Sequence, residues 1–323
     1  MKGNQKPCVI IADKNKMSQE EWLNIRKSSI GGSEIAVAIG ASRWTSPFEL
    51  WAEKTGHIDR NKLSNEAMYW GTVMEPMIRE QFAKRTGLTV KTTSFIFASN
   101  THPFLTANLD AFVDLGNGEC AVLEIKTAGS YAETDWNEGL PIEYFLQVQH
   151  YMFITGMKKA YVAALIGGNC FRHIEVQRDD ATIEVMVNLA TEFWLNIVKT
   201  NTAPPVTDKD NSVLSALYPI SKPSSIELPV DFNEVLASYE SAKAAMDEAK
   251  AKKEAAEAAI KEYMKENEAA TCSSWKISWK SSSRKSLSTE KIKALLTEEQ
   301  LESCTTISDT RTLRISKAKA KTK

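Results

Sequence analysis

A Gly-Asn-Gly turn between two apolar runs is the feature that most constrains the fold of this chain. The runs FLTANLDAFVD and AVLEIKTA lie on either side of residues 116–118. Apolar runs of this kind, separated by a glycine turn, are typical of a β-hairpin. Because alternate residues of a strand share a face, Glu124 and Lys126 point the same way, and the hairpin brings Asp110 beside them. The sequence therefore predicts two carboxylates and one lysine at the edge of a sheet.

This cluster has the chemistry of a metal-dependent phosphodiesterase. Carboxylate oxygens suit Mg²⁺ or Mn²⁺. A neighbouring lysine can position or deprotonate a water molecule, or stabilise a pentavalent phosphate. The triplet alone is a weak pattern, since exposed charges on a half-buried strand are ordinary.

Composition bounds the class of protein. The chain has 323 residues, of which 43% are hydrophobic and 25% charged, as expected of a soluble globular protein with one or two domains. It has no apolar run of eighteen residues and too short an N-terminal apolar core for a secretory signal. Five scattered cysteines without a CxxC pair argue against structural zinc or an Fe–S cluster and favour the cytoplasm. The net charge of −1 means that nucleic acid would be bound by a local basic patch.

Residues 1–203 are predicted to form one mixed α/β domain. Its expected helices cover 18–40 (two helices joined by a turn), 47–56, 66–86, 142–155 and 181–199. Its expected strands cover 89–97, 104–113, 120–127, 160–166 and 171–177. Pro76 is expected to kink the third of these helical regions or to mark a first turn.

Composition changes after this domain. Pro204-Pro205 begins a predicted linker over 204–231, and residues 232–268 carry apolar side chains at alternating steps of three and four, which predicts a coiled-coil-like helix. Its small alanines require a packing partner, either another subunit or the C-terminal part of the chain. Residues 269–323 are predicted to form a small α+β segment with a strand over 274–280, a helix over 288–302 and a strand over 310–316. The basic tail that ends the chain is either solvated or a nonspecific DNA contact.

Two polar residues on core-facing helix stripes support the triplet. Glu75 lies between Met74 and Ile78, where a carboxylate needs a partner or a cation. It is either a metal ligand or water-orienting acid, or a surface glutamate beside the proline. Gln149 shares a stripe with neighbouring apolar residues, and a buried amide needs partners. It either holds the catalytic lysine, the phosphate or a water, or is a satisfied core amide.

Arg26 and Ser33 form a candidate phosphate pocket. Arg26 lies one helical turn after Trp22, and Ser33 lies at a predicted helix N-terminus, where free N–H groups favour phosphate. The alternative role of Ser33 is a simple helix cap.

Taken together, five ordered blocks resemble one protein family. They are W-x3-R-x3-I-G-G-S-E, W-G-T-x-x-E-P, L-D-A-F-V-D, L-E-I-K and Q-V-Q-H-Y, spread over residues 22–151. This series resembles the YqaJ-like viral recombinases, relatives of phage lambda exonuclease in the PD-(D/E)xK nuclease superfamily. The resemblance covers about residues 17–200. Leu109 stands where the superfamily name has proline.

The resemblance implies a fold, an activity and a set of partners. The fold would be a restriction-endonuclease-like mixed β-sheet core flanked by helices. The activity would be Mg²⁺-dependent (Mn²⁺ as a substitute) 5′-to-3′ degradation of double-stranded DNA ends, leaving a 3′ single strand for a RecT-type annealing protein. Better-known relatives form rings, which implies a homo-oligomer.

The resemblance also implies roles for the residues above. Asp110, Glu124 and the Ile125 carbonyl would bind metal, and Lys126 would activate water. Glu75 and Gln149 would support the site, and Arg26 and Ser33 would hold the 5′-phosphate.

Two alternatives stay open at this stage. One is an endonuclease or a RecB- or Cas4-like repair nuclease without an Fe–S cluster. The other is a non-enzymatic DNA-binding or scaffold protein.

Overall fold

The computed structural model describes residues 6–59, 66–307 and 310–317, which fall into two compact units. The first unit is Met1–Pro219 and the second is Ile220–Lys323. Within the described ranges, none of the helices combines the length and apolar character needed to cross a membrane.

The first unit contains two β-sheets. Its strands are β1 (Cys8–Asp13), β2 (Ile30–Gly31), β3 (Thr89–Thr92), β4 (Phe95–Ser99), β5 (Leu105–Asn108), β6 (Ala111–Gly116), β7 (Glu119–Ala128), β8 (Lys159–Ile166) and β9 (Cys170–Gln177). The five-stranded sheet has the order β3-β6-β7-β8-β9, and the four-stranded sheet has the order β1-β4-β5-β2. Parallel pairs occur between β7 and β8 and between β2 and β5, so both sheets are mixed.

Helices cover both faces of the five-stranded sheet. They are α1 (Gln19–Lys27), α2 (Gly32–Ala38), α3 (Pro47–Lys54), α4 (Glu66–Thr86), α5 (Glu133–Glu138), α6 (Ile142–Thr155), α7 (Asp180–Glu192, continued by a π-helical turn over Phe193–Val198) and α8 (Asn211–Leu217). The predicted mixed sheet flanked by helices is confirmed.

Two apolar clusters hold these layers together. In one, Ile78 and Phe82 of α4 pack with Leu123 on one face of β7. In the other, Val148 of α6 packs with Val122, whose side chain points to the opposite face of β7. Burying both faces explains why β7 is apolar along most of its length rather than alternating with polar residues.

The chain crosses from one sheet to the other at two short breaks. The predicted strands 89–97 and 104–113 are wrong as single strands, because each is two strands that lie in different sheets. The second break falls at Leu109 and Asp110. Leu109 is fully buried there. Its packing in the core fixes the point at which the chain leaves the four-stranded sheet and enters the five-stranded one. Strand β1 was not predicted.

Local chemistry explains where several elements begin and end. Ser18 caps α1 in a reciprocal arrangement with Glu21, as the sequence indicates. Residues 116–118 all have positive φ, which glycine and asparagine tolerate and which closes the β6–β7 hairpin.

Pro76 does not mark a first turn, because α4 runs through it from Glu66 to Thr86. The first part of the predicted linker 204–231 carries α8, whose Val213 joins the core of the first unit.

The second unit is built on one long helix. Its elements are α9 (Phe232–Met264), β10 (Ala269–Cys272), β11 (Trp275–Ser278), α10 (Thr289–Leu295) and α11 (Glu298–Ser303). The long helix is confirmed, and its 33 residues form a single helix. The predicted helix over 288–302 is two helices, since Thr297 starts α11 as its cap. The predicted strand over 310–316 is wrong, because this segment has no regular structure. The last six residues of the basic tail lie outside the described residues.

Candidate active site

A cleft of about 560 Å³ in the first unit gathers most of the predicted functional residues. Its floor is formed by the C-terminal half of β7 and the junction between β5 and β6. One wall comes from α1 and the start of α2, and another comes from the first half of α4. The predicted residues that line it are Arg26, Ser33, Glu75, Asp110, Glu124, Ile125 and Lys126.

The hairpin brings the two carboxylates together as predicted. The Ile125 backbone N–H donates to Asp110 Oδ2 over 2.7 Å, which fixes the sheet junction against β7. Glu124 is only 3% exposed. Burial, together with the neighbouring Glu124 carboxylate, raises the pKa of Asp110 to about 7. Two acids are thus held close together in a place where the ionised form of Asp110 is disfavoured.

Lys126 offsets part of this charge. Its Nζ lies 2.6 Å from Glu124 Oε1 and 4.9 Å from the centre of the Tyr144 ring. Burial acts to lower the pKa of Lys126, but the Glu124 and Asp110 carboxylates outweigh it and the pKa is raised above its usual value. Lys126 is therefore a cation in this arrangement, held by a carboxylate and an aromatic face.

The amide that joins these groups belongs to Gln147. Gln147 Nε2 donates to Glu124 Oε1 over 2.7 Å, and Lys126 Nζ donates to Gln147 Oε1 over 2.9 Å. The same Nε2 lies 2.9 Å from the Tyr151 hydroxyl, which donates to the Asn108 carbonyl. One side chain of α6 thus fixes the relative positions of the acid and the lysine on β7.

Gln149 does not reach the site. Its Nε2 donates to the Gln177 carbonyl over 2.8 Å, and its Oε1 accepts from the Asp179 N–H over 2.9 Å. Both bonds join α6 to the segment between β9 and α7. The predicted supporting role of Gln149 is wrong, and it is a satisfied core amide.

Glu75 enters the cleft from α4. It is half-buried and pairs with Arg79 one turn later, with Oε1 and Nη1 3.0 Å apart. Burial, followed by the charge of Asp110, raises the pKa of Glu75. Gly71, one turn before Glu75, lets α4 lie close to β7, since a Cβ there would be 3.4 Å from Thr127 Oγ1.

Arg26 and Ser33 lie on the opposite wall. Arg26 Nη2 donates to Glu34 Oε1 over 2.8 Å, and its guanidinium group lies 5.1 Å from the centre of the Trp22 ring. The buried Lys54 ammonium also contacts Glu34, with 2.7 Å between Nζ and Oε2. Two cations therefore share the Glu34 carboxylate, and the Glu53 carboxylate also interacts electrostatically with Arg26.

Ser33 does not cap its helix. Helix α2 begins at Gly32, after the short strand β2, so Ser33 is its second residue and is exposed to the cleft. Gly32 is buried against the Tyr151 ring, where a Cβ would come within 2.3 Å of a ring carbon. Glycine at this position lets the Arg26 and Ser33 wall close onto α6.

The donor set fits a hard divalent cation. Glu124 Oε2 and Asn108 Oδ1 both belong to cleft residues, both are buried, and neither has a hydrogen-bond partner among the described residues. Unpaired buried oxygens are costly, and an oxygen-seeking cation would satisfy them. In the described ranges, no three His, Cys, Asp or Glu side chains group closely enough to bind a metal. Mg²⁺ is commonly held by one or two carboxylates together with waters and substrate phosphates.

Comparison with known proteins places the chain in a family. The family model for the YqaJ-like viral recombinase domain matches residues 21–158. The uncharacterized protein YqaJ of Bacillus subtilis (strain 168) is 32% identical over 294 residues, covering 89% of this chain and 91% of that protein. This chain belongs to the YqaJ-like viral recombinase family. The resemblance predicted from the five sequence blocks is confirmed.

Solved structures with similarity to this YqaJ-family chain include exonucleases. The complex of LHK-Exo with dAMP shares 23% identity, covers 57% of this chain and 94% of that chain, and has a TM-score of 0.48. LHK-Exo is an alkaline exonuclease from Laribacter hongkongensis. A phage-related exonuclease from Haemophilus somnus 129PT shares 14% identity, covers 56% of this chain and 99% of that chain, and has a TM-score of 0.40.

Three residues of the YqaJ-family site were missed from the sequence: Asn108, Gln147 and Tyr151. Gln147 and Tyr151 are four positions apart on α6, so they share a helix face. That spacing is visible in the block Q-V-Q-H-Y, but Gln149 and Phe153 have the same spacing, so it does not select Gln147.

Proposed function

We propose that this protein is a metal-dependent exonuclease that degrades double-stranded DNA from 5′ ends and leaves 3′ single strands. The observation that carries the proposal is the convergence of Asp110, Glu124, Lys126 and Gln147 in one cleft, with a buried Glu124 oxygen left unpaired. Membership of a viral recombinase family supports a role on DNA ends.

Asp110, Glu124 and the Ile125 carbonyl would hold Mg²⁺, or Mn²⁺ in its place. When bound, the cation would neutralise charge on the scissile phosphate and make a water molecule more acidic. Lys126, as a cation, would orient the attacking water and stabilise the extra negative charge of the pentavalent phosphate. Gln147 would keep Lys126 and Glu124 in place, and Glu75 would accept a hydrogen bond from water on the α4 side.

The end preference would come from the opposite wall. Arg26 and Ser33 would bind the terminal 5′-phosphate, since a guanidinium group and a hydroxyl are both good donors to phosphate oxygens. The Arg26 side chain lines the cleft and is 38% exposed, so its guanidinium group is open to a phosphate there. The 3′ strand that remains would be handed to a RecT-type annealing protein.

Digestion of labelled DNA tests this proposal. A linear duplex with 5′-phosphates should be shortened from its 5′ ends with Mg²⁺ and should stay intact with EDTA. A closed circular duplex should stay intact under both conditions. Nicking of the circle would favour the endonuclease alternative, and no hydrolysis with any divalent metal would favour a binding protein.

Matched lysine variants test the site. Lys126→Ala should bind DNA but cut it more slowly, by a factor on the order of 10²–10⁴. Lys91→Ala removes a lysine that pairs with Asp114 on the same sheet and lies outside the cleft, so its rate should be unchanged. Wild-type cleavage by Lys126→Ala would show that the site is assigned wrongly.

A further inference from the structure

The second unit ends its long helix in a hairpin that exposes two indole rings. Strands β10 and β11 pair antiparallel, with Cys272 opposite Trp275 and Ala270 opposite Ile277. Trp279 follows β11 directly, and its N–H donates to the Glu268 carbonyl over 2.9 Å. Trp275 is 72% exposed and Trp279 is 45% exposed.

The two indoles share one face of the hairpin. Residues 275, 277 and 279 alternate with 276, 278 and 280, so Trp275, Ile277 and Trp279 point to the same side. Ile277 is partly covered, and the Trp279 ring lies 6.0 Å from Lys261 Nζ on α9. Trp275, at the turn, extends beyond this covered part. Two large aromatic side chains exposed on one face of a hairpin form an apolar patch, and such patches mark binding surfaces.

Positive charge predominates around the hairpin from Ala269 onward, and Glu268 directly precedes β10. Residues 269–289 contain four Lys or Arg residues and no Asp or Glu. These are Lys276, Lys280, Arg284 and Lys285, and all are exposed. None of the four pairs with a carboxylate among the residues that the structure describes.

The lysines of α9 behave differently. Lys250, Lys252 and Lys253 each lie within 3.9 Å of a glutamate one turn away on the same helix. The helix therefore neutralises its own charge, whereas the hairpin carries Lys276 and Lys280 on the face opposite its indoles and is followed by Arg284 and Lys285.

We propose that the hairpin Ala269–Lys280 binds single-stranded DNA, with bases stacked on Trp275 and Trp279 and the phosphates attracted by the positive charge of Lys276, Lys280, Arg284 and Lys285. Aromatic faces and backbone-tracking cations are the two elements of sequence-independent single-strand binding. A duplex hides the faces of its bases, so it offers the indoles nothing to stack on. An apolar protein partner would match the indoles but not the cluster of unpaired cations.

The span of the site follows from strand geometry. Four residues of β-strand separate the two indoles by about 13 Å. Stacked nucleotides rise about 3.4 Å each along one strand, so the hairpin would cover about four of them. That the strand is DNA rather than RNA rests on the proposed function, whereas the stacking and the charge do not.

Binding is best measured on the full chain without hydrolysis. The probe is a fluorescein-labelled 12-nucleotide oligo(dT), followed by fluorescence anisotropy in EDTA, with a gel to show that it stays intact. Each stacked base contributes about 1–3 kcal/mol, so Trp275→Ala should weaken binding roughly 5- to 150-fold. Tyr263→Ala is the matched control, because Tyr263 is 90% exposed on α9 in the same unit, and it should bind as the wild type does.

Two further pairs of variants separate stacking and charge from general apolar contact. Trp275→Phe keeps an aromatic face and should retain most of the affinity, whereas Trp275→Leu should lose it. Lys276→Gln with Lys280→Gln should reduce the slope of log affinity against log salt by about 0.7 for each phosphate that is no longer neutralised. Lys250→Gln with Lys252→Gln should leave the slope unchanged.

Several outcomes would overturn the proposal. They are equal affinity for wild type and Trp275→Ala, equal binding by the Phe and Leu variants, or tighter tryptophan-dependent binding of a 12-nucleotide RNA or a 12-base-pair duplex. Because binding is measured in EDTA, its failure is distinct from failure of the nuclease proposal, which is scored by cleavage of linear duplex with Mg²⁺.

Discussion

Replacing Asp110 with asparagine should stabilise the metal-free protein at alkaline pH while abolishing its cleavage activity. The pKa of Asp110 is raised from 3.8 to about 7 by burial and by Glu124. Between these two values the folded state binds a proton that the unfolded state has released, so stability falls as pH rises through this window. Each pKa unit corresponds to 1.36 kcal/mol, which gives a cost of about 4 kcal/mol above pH 7.

Asparagine removes that cost and keeps the local structure. It resembles the protonated acid, and its Oδ1 can still accept the bond from the Ile125 N–H. We expect Asp110→Asn to raise the free energy of unfolding by about 2–4 kcal/mol at pH 8, with the difference disappearing near pH 4.

Urea unfolding in EDTA, followed by circular dichroism at pH 4, 6 and 8, measures this difference. Asp114→Asn is the control, because Asp114 is on the same sheet but pairs with Lys91, which lowers its pKa. That variant should gain no stability at pH 8. An Asp110→Asn protein that is no more stable than the wild type at pH 8 would refute the electrostatic account of the site.

Three other predictions follow from groups around the cleft. Gln147→Leu should slow cleavage on the order of 10²-fold per folded molecule, whereas Gln149→Leu should lower unfolding free energy by about 1–3 kcal/mol at unchanged cleavage rate per folded molecule. Burial lowers the pKa of His150 from 6.5 to about 4, so its neutral form should stabilise the fold above pH 6.5. As pH falls, His150 takes up a proton in the unfolded state before it does so in the folded state, so the free energy of unfolding should fall by about 3 kcal/mol between pH 6.5 and pH 4. Urea unfolding of His150→Gln should not show this decrease. Lys54→Met should lower the free energy of unfolding by roughly 3 kcal/mol in the same assay, because the buried Glu34 carboxylate loses one of its two cations and keeps Arg26 and the Gly31 N–H. No change would show that these two partners suffice.

Local patterns predicted the parts of the fold that depend on local chemistry. The β6–β7 hairpin was predictable because residues 116–118 need positive φ and the flanking runs are apolar. Helices α4 and α6 were predictable because glycines stop them at Gly87 and Gly156. These features place Asp110, Glu124 and Lys126 together without any knowledge of the rest of the chain.

Features set by tertiary packing were not predictable in this way. Helix α6 is buried on nearly every side from Leu146 to Met152, so its apolar period cannot distinguish Gln147 from Gln149. The breaks within 89–97 and 104–113 depend on which sheet each half joins, which no local pattern records. In the second unit, the split between α10 and α11 depends on the cap at Thr297.

The crossing of the chain at Leu109 and Asp110 has a mechanical consequence. Asp110 belongs to neither sheet, yet its hydrogen bond to Ile125 ties the end of β5 to the middle of β7. Any ligand held jointly by Asp110 and Glu124 would act as a second tie at the same point. Ligand binding in the cleft should then slow backbone hydrogen exchange along β4 and β5. These strands belong to the four-stranded sheet, which contributes no acid of its own to the site. The region around the cleft would therefore be more rigid with a ligand bound and more flexible without one.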